Sequence, residues 1–417
     1  MKKLSIVIVV AAALSSCCHN DKPVWLDRTA LNELVSKTIS ASEAKLELAI
    51  KEVGDSLAYP TYGDKASGTA HWRTASSKNW VSGFWPGCLW YSYALTGNER
   101  MKAAAKRWTA GIEAEKFNTR THDLGFRFMS TFGKGIKFDE STEASYKPLV
   151  LTAAQTLSGL WHPEFQALCS DWDSKAAKDR LAMDYTPCVI DIMMNLEIFF
   201  WSAANGGNQD WPAMCIQHAN TTWRDFVRED GGTYHVVRYD GKSGAIVEKG
   251  QIQGDKTEST WSRGHAWLVY GLVVCYRYTH DSIWLDRAKK AADYFIRNLN
   301  PDGIANWDFQ SEEAYTDASA SAVVCSALYE LITMLPEGRE KYNYELQADR
   351  MLSAMCSPDY FLGPDSPCLL DHSVRFFHVK DNSDNTKQQA NIDEPCSFAD
   401  YYFMEALYRY SKLHNLK

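Results

Sequence analysis

The chain has 417 residues, with 44 basic and 52 acidic side chains, a formal net charge of −8, 45% hydrophobic and 23% charged residues. That composition excludes wholesale disorder, collagen-like repeats and a long coiled coil, and the acidic balance shows no basic patch to displace counterions from nucleic acid. Aromatic residues make up 13% of the chain, which suits either a large helical core or rings that pack against the C–H faces of sugars.

Lys2 and Lys3 precede an apolar run from Leu4 to Leu14, too short to span a bilayer permanently and placed where a secretory signal belongs. Leu14-Ser15-Ser16-Cys17 resembles a bacterial lipobox. Residues 1–16 are therefore expected to be a lipoprotein signal peptide, Cys17 the lipidated first residue, and 17–23 a tether. This predicts a protein of the bacterial cell envelope, periplasm-facing, that meets the membrane only through its anchor. Losing two lysines with the signal leaves 42 basic against 52 acidic residues, so an anionic substrate must be met by cationic or amide groups inside a cleft rather than by the net field.

From Leu31 the chain reads as helix after helix. Apolar residues at 31, 34, 35, 39, 46, 48, 49 and 53 form one buried stripe that Gly54 ends. Further apolar-periodic stretches fall near 84–96, 99–113, 142–160, 187–204, 211–228, 263–279, 282–299, 316–335, 341–355 and 397–414, and a twelfth helix falls near 124–132 or 174–183. Trp267–Tyr278 followed by Ile283–Leu299, and Ser319–Leu335 followed by Tyr342–Met355, read as helical hairpins. About six such hairpins closed in a ring make an all-α (α/α)6 barrel. Strand signal is confined to Thr233–Tyr239, with Asp240-Gly241 as a hairpin turn, so the barrel is expected to carry short β-hairpin insertions. No linker divides residues 24–417, which read as a single catalytic domain. Nine cysteines scattered beyond the lipobox, several inside apolar helical patterns, read as small buried hydrophobes rather than a disulfide framework. No H-E-x-x-H or paired Cys/His spacing is present, so no metal and no cofactor is expected.

The stretch from Pro187 to Asn205 is apolar almost all round and should be buried, with Asp184 capping it and Pro187 in its first turn. Asp191 and Asn195 then share a face. Desolvation is expected to raise the Asp191 pKa toward neutrality, giving a proton donor; a structural carboxylate serving a neighbouring helix terminus fits equally. Thr121-His122-Asp123-Leu124-Gly125-Phe126 places a carboxylate and an imidazole at a helix connection, where turn capping is the plainer reading. Arg263 and Trp267, four apart, pair a carboxylate-binding fork with an aromatic platform. Trp80–Gly87 interleaves aromatics with small residues that permit close approach, or simply packs a turn into a helix. His218, alone on an amphipathic helix, reads by itself as a satisfied histidine.

Together these segments resemble the unsaturated glucuronyl hydrolases, glycoside hydrolase family 88, over nearly the whole mature chain. The resemblance rests on W-V-S-G-F-W-P-G at 80–87, H-D-L-G-F at 122–126, D-I-M-M-N-L at 191–196, H-A-N-T-T at 218–222, Q-G-D-K-T-E-S-T-W-S-R-G-H-A-W at 253–267, W-D-F at 307–309 and the closing D-Y-Y-F-M-E-A-L-Y-R-Y. It implies the six-hairpin barrel and an exo-acting enzyme that removes a 4,5-unsaturated uronic acid from the non-reducing end of lyase-generated, glycosaminoglycan-type oligosaccharides by hydrating the C4=C5 bond. By the resemblance Asp191 is the acid/base and Asp123 the second carboxylate. Trp80, His122, His218, Gln253, Trp261, Arg263 and Trp267 are substrate-binding, with Arg263 on the substrate carboxylate or its hydroxyls and the three tryptophans as stacking walls.

His265 stands where the family has Gln and is expected to add a group titrating near neutral pH. Leu369-Leu370-Asp371-His372 replaces the family's Leu-Leu-His-Gly, and the polar loop 380–394 either borders the next-sugar subsite and reads sulfation or is a solvated loop. The rival readings are an unsaturated rhamnogalacturonyl hydrolase acting on pectin fragments, which the match at 253–267 disfavours, and a non-catalytic oligosaccharide-binding lipoprotein, which gives no reason to bury Asp191.

Overall fold

The computed structural model describes residues 27–170, 185–377 and 390–416. The lipobox with Cys17, residues 1–16, the 17–23 tether, the candidate helix at 174–183 and most of the 380–394 loop lie outside them. The helices begin and end where local chemistry allows. In α1 (Arg28–Val53) Asp27 accepts from the N–H of Ala30, and the helix stops at Gly54 with φ +65°, a left-handed value that glycine adopts without a Cβ clash. The amphipathic stripe expected there is real: Leu31, Val35, Leu46 and Ala49 are buried.

Five hairpins follow: α2 (Phe84–Thr96) with α3 (Glu99–Ala110), the broken helix α4 (Leu124–Phe128) and α5 (Lys134–Phe138) with α6 (Glu143–Ser158), α7 (Ile192–Ala204) with α8 (Trp211–Phe226), α9 (Ser262–Thr279) with α10 (Ser282–Arg297), and α11 (Ala318–Met334) with α12 (Arg339–Met355). The last helix, α13 (Ser397–Leu413), packs between α11 and α2 and closes the ring, with α1 outside against α2 and α12. The inner helices are buried along most of their length, as in α9 and α11, whereas outer helices such as α10 bury one stripe through Trp284, Ala288, Ala291, Ala292 and Phe295. This is the (α/α)6 barrel expected from the helix pattern.

Glu405 of α13 ties the inner ring together. Its carboxylate accepts from Tyr270 at 2.9 Å and Ser326 at 2.8 Å, and also from Tyr91. Lys134 and Arg409 each lie 3.5 Å away. Burial pushes this carboxyl up, but Arg409 and Lys134 hold it well below the usual carboxylate range. Arg409 also meets Glu330 at 2.6 Å, and Arg277 pairs with Glu330 and with Glu197, so the network runs on to α7.

Two sequence expectations fail locally. The apolar run at 187–204 is not one helix: Thr186–Val189 is a strand, and the helix starts at Ile192. Pro187 pairs with Arg238 in the antiparallel order β5 (Thr186–Val189), β6 (Val236–Tyr239), β7 (Ile246–Gly250). A short apolar run is ambiguous between the two periods, and here a neighbouring strand decided. The hairpin β1 (Tyr59–Asp64) and β2 (His71–Ala75) was not expected either, because its alternation is weak and Pro60 argues against a strand. The hairpin turn at Asp240 is present between β6 and β7, and Cys88, Cys169, Cys188, Cys215, Cys275, Cys325, Cys356, Cys368 and Cys396 are free and buried, as expected.

Replacing Glu405 by Ala strands Lys134 and Arg409 in the core. Denaturant unfolding is expected to show a loss of about 3–5 kcal/mol, and a loss below about 1 kcal/mol argues against the network as the tie of the inner ring.

Candidate active site

A cavity of about 1260 Å³ opens at one end of the barrel, and Asp123, Asp191, His122, Gln253, Arg263, Trp80, Trp261 and Trp267 all line it. The structure thus brings together residues spread from 80 to 267, all the expected site residues in the described segments except His218. Asp191 is not in a helix interior but at the N-terminal boundary of α7, between β5 and Ile192. Its side chain, 17% exposed, sits where the helix dipole favours a negative group. Asp191 Oδ2 is a buried oxygen with no hydrogen-bond partner among the described residues. Burial alone would push this carboxyl up. The N–H of His235, and the charge that His235 and His122 carry when protonated, outweigh it and lower the carboxyl below its ordinary value. The expectation of a raised pKa is therefore corrected for the free protein: the imidazoles of His235, which the sequence did not place beside Asp191, and of His122 reverse the sign.

His235 is the site residue that sequence reasoning missed. Its Nε2 lies 3.4 Å from Asp191 Oδ2, and its Nδ1 accepts the backbone N–H of Gln253 at 3.2 Å. That second bond puts the proton of the neutral ring on Nε2, facing the carboxylate. The ring packs on Trp261 at 4.5 Å between centroids. The only signal available was its place in the alternating stretch 233–239, where it read as one strand residue among others.

His218, by contrast, does not reach the cavity. It is fully buried, its Nδ1 accepts the N–H of Leu168 at 3.1 Å, and burial pushes it down to about 3. The bland reading of this histidine holds, because the inward face of α8 packs beneath the β3 (Trp161–His162) and β4 (Ala167–Leu168) hairpin. His265 is corrected likewise: wholly buried, with Nε2 2.9 Å from the carbonyl oxygen of Ala291, it is pushed down to about 4 by burial and carries no near-neutral titration.

Asp123 stands at the start of α4, where Thr121 donates to it at 3.0 Å and His122 Nε2 lies 3.4 Å away. His122 is held in turn through its Nδ1, 2.9 Å from Ser170 Oγ. The two carboxylate-bearing turns are locked to each other: Asn195 of α7 accepts from the N–H of Phe126 at 2.9 Å, and a Cβ on Gly125 would meet Asn195 Cα at 2.6 Å. Gly83 has the same use, since its Cβ would come within 2.7 Å of Arg127 Cα, seating the Trp80 turn on α4.

Arg263 is more enclosed than expected. Its Nη1 donates to Asp317, Ser319 and the carbonyl of Val374, and its Nη2 to Gln253 Oε1 and the carbonyl of Arg375. Both Nη groups of the guanidinium already have acceptors while its buried Nε has no hydrogen-bond partner among the described residues, so the Nη groups orient Gln253 and the 374–375 segment and do not form a free fork. Asp308 of the W-D-F motif performs a similar task for the loop before Trp261, accepting from Asp255 N–H at 3.0 Å and from Ser259 at 2.6 Å. Of the three tryptophans, Trp261 and Trp267 are 2% and 1% exposed, and their rings are packed by protein. Trp80, half-buried and stacked on Phe398 at 5.4 Å, is the one with surface to offer a ligand. Asp371 and His372 lie outside the cavity lining, where Asp371 pairs with Lys65 at 3.0 Å and His372 with Asp393.

The arrangement can deliver a proton from Asp191 to a planar substrate carbon and receive one from water, with Asp123 supplying a second negative charge. No family model matches the chain. It is 38% identical over 344 residues to an unsaturated glucuronyl hydrolase of Formosa agariphila, covering 81% of both chains. It is 28% identical over 387 residues to an unsaturated chondroitin disaccharide hydrolase of Streptococcus pyogenes, covering 88% of this chain and 90% of that one. It superposes with a TM-score of 0.80 at 30% identity on the crystal structure of an unsaturated glucuronyl hydrolase specific for heparin, covering 92% and 99%.

His235→Phe removes the group that most favours the ionised Asp191 while leaving it buried, so the carboxyl is expected to titrate about one pH unit or more higher. Carbon-13 titration of the carboxyl, identified by its loss in Asp191→Asn, reads this, and an unshifted titration argues against control by His235.

Proposed function

The chain belongs to the unsaturated glucuronyl hydrolases, and we propose that it removes a 4,5-unsaturated uronic acid from the non-reducing end of lyase-generated oligosaccharides with Asp191 as its acid/base. The observation that carries this reading is the buried Oδ2 of Asp191, which makes no well-formed hydrogen bond, has the His235 imidazole 3.4 Å away, and belongs to a carboxylate lining the cavity walled by Trp80, Trp261 and Trp267. Buried polar atoms are nearly always fully paired, and an oxygen held only by a long imidazole contact in a cleft is available to a substrate.

The chemistry follows from the alkene. Asp191 gives its proton to C4, and positive charge develops at C5 and the ring oxygen. Asp123 stabilises that charge or holds sugar hydroxyls. Water, losing a proton to Asp191, adds to C5. The resulting hemiketal opens by breaking the C5–O5 bond, leaving a ketone at C5 and a hemiacetal at C1, which then expels the remaining sugar. The first bond broken is not glycosidic, so the carboxylate spacing of ordinary glycosidases is no guide here.

Asp191 is ionised in the free protein at neutral pH, yet must carry a proton to begin. The substrate supplies the reason: it brings its own carboxylate into the same cavity, and a like charge raises the pKa of Asp191. The names of the relatives, a chondroitin disaccharide hydrolase and a heparin-specific enzyme, support a glycosaminoglycan source for the substrate. The signal at residues 1–16 and Cys17 support export and lipid anchoring at the cell envelope.

Loss of the ultraviolet absorbance of the conjugated double bond on incubation with unsaturated disaccharides is the assay. Asp191→Asn is expected to lower kcat by about 10²-fold or more, and wild-type kcat should fall at a higher pH than kcat/KM, because kcat reports the complex. No loss of absorbance with any unsaturated disaccharide rejects the enzyme. Incorporation of labelled palmitate, abolished in Cys17→Ala, tests the anchor, and label retained in that variant rejects Cys17.

A further inference from the structure

We infer that a cavity at the other mouth of the barrel is a second ligand site, which holds the oxyanion group of a small molecule (phosphate, sulfate or carboxylate) on Lys134, Lys137 and Lys412. Its volume is about 680 Å³, within the range of small-molecule sites. Its position follows from the helices. The catalytic cavity sits where inner helices start, with Asp123 just before α4 and Asp191 just before α7. The second cavity is lined from their far ends, by Trp201 of α7, Tyr278 of α9, Thr333 of α11 and Leu413 of α13. Trp201 lies about 15 Å along α7 from Asp191, and no described residue lines both cavities.

Five cations and two carboxylates line this cavity. The two arginines are spent on protein groups. Arg277 donates to Glu330 and Glu197, and Arg409 to the carbonyl of Ser326 at 2.7 Å, to Tyr270 at 2.9 Å and to Glu330 at 2.6 Å. Those pairings use both lining carboxylates, and the three lysines are left over. The side chain of Lys134 is only 9% exposed, yet its sole hydrogen-bond acceptor among the described residues is Glu405 Oε1 at 3.5 Å, an oxygen that Tyr91 and Arg409 share. A buried ammonium has three donors to satisfy, so one long and contested acceptor leaves it short of anions. Lys137 and Lys412 have no acceptor among the described residues, and their ammonium groups lie over the Tyr408 ring at 5.3 Å and 5.6 Å from its centroid. Lys137 is exposed as a residue, but desolvation of its ammonium and the like charges of Lys134 and Arg409, against Glu405 and Glu197, lower it to about 8.

Helix dipoles explain part of this gathering, since cations are favoured where helices end, and α9 and α13 end here. A dipole supplies no acceptors. It gives no reason to bury Lys134 short of them, or to leave a hollow beside three lysines. A bound oxyanion accounts for both, because its oxygens accept from several ammonium groups at once and enclosure strengthens each bond. Trp201, half-buried on the cavity wall, offers ring surface to the body of the ligand. Even with Glu405 counted beside the lining groups, five cations face three carboxylates, in a chain whose net charge is −8. Neutralising that excess acts on the whole barrel. Lys134 and Arg409 both contact Glu405, the tie of the inner ring, so an occupant stabilises the folded state.

The inference is independent of the hydrolase reading, and thermal unfolding tests it without any substrate. The midpoint of the full-length protein is followed as sodium phosphate, sulfate or glucuronate replaces sodium chloride at constant ionic strength, for wild type and for the double variant Lys137→Gln/Lys412→Gln. With at least one of the three anions the wild-type midpoint is expected to rise saturably, by about 2 °C at ten times the dissociation constant, and the double variant to lose that rise. In chloride alone the double variant should be at least as stable as wild type, because it relieves repulsion, whereas a purely structural role at the helix ends requires a lower midpoint. A saturable rise that survives in the double variant places the anion elsewhere and overturns the site. So does a double variant less stable than wild type in chloride, or a wild type that responds saturably to none of the three anions.

Discussion

A carboxyl kept dry and only weakly satisfied at the start of a helix is the constraint on which the functional architecture depends. Asp191 has one oxygen that makes no well-formed hydrogen bond, faces His235 at 3.4 Å and belongs to a side chain lining the cavity. Burial favours its protonated form, the imidazoles and the helix terminus favour the ionised form, and the balance lies with ionisation while the cavity holds no uronate. An anion entering the cavity would shift the carboxyl toward its protonated form, which is what the proposed acid/base role needs.

The rest of the site holds that carboxyl in register with its partners. Gly125 lets α4 lie against Asn195 of α7, and Asn195 caps the contact by accepting from Phe126. Asp123 and Asp191 therefore share one rigid joint between two inner helices. Arg263 and Asp308 act at one remove: each spends its hydrogen bonds on protein groups, and each thereby fixes a segment that presents Gln253 or Trp261. Of the three candidate tryptophans Trp80 is the most open, half-buried within the cavity lining.

The barrel itself is closed by charge as well as by apolar packing. Glu405 draws donors from α2, α9 and α11, and through Arg409 and Glu330 the network continues to Arg277 and Glu197. Fully partnered buried charges of this kind specify an arrangement, because any other packing strands one of them.

Local periodicity was enough to read α1, α2, α3, α6, the helices from α8 onward and the hairpin plan of the barrel, since 3.6-residue apolar spacing and Gly, Asn and Asp breaks are properties of the chain alone. The two carboxylates stood out as candidates because each lies in an apolar or glycine-bordered run, but the roles expected of them came from the family resemblance, since local pattern fits a structural carboxylate and a turn cap as well. What the chain could not declare by itself was pairing at a distance. The run at 187–190 became a strand because β6 lay beside it. His235 joined Asp191 and His218 did not, although nothing local separates the two histidines, and the direction of the Asp191 shift followed from that choice. Residue type and spacing determined which groups were available; only closure of the ring decided which of them meet, because a pKa and a binding contact are set by neighbours in space.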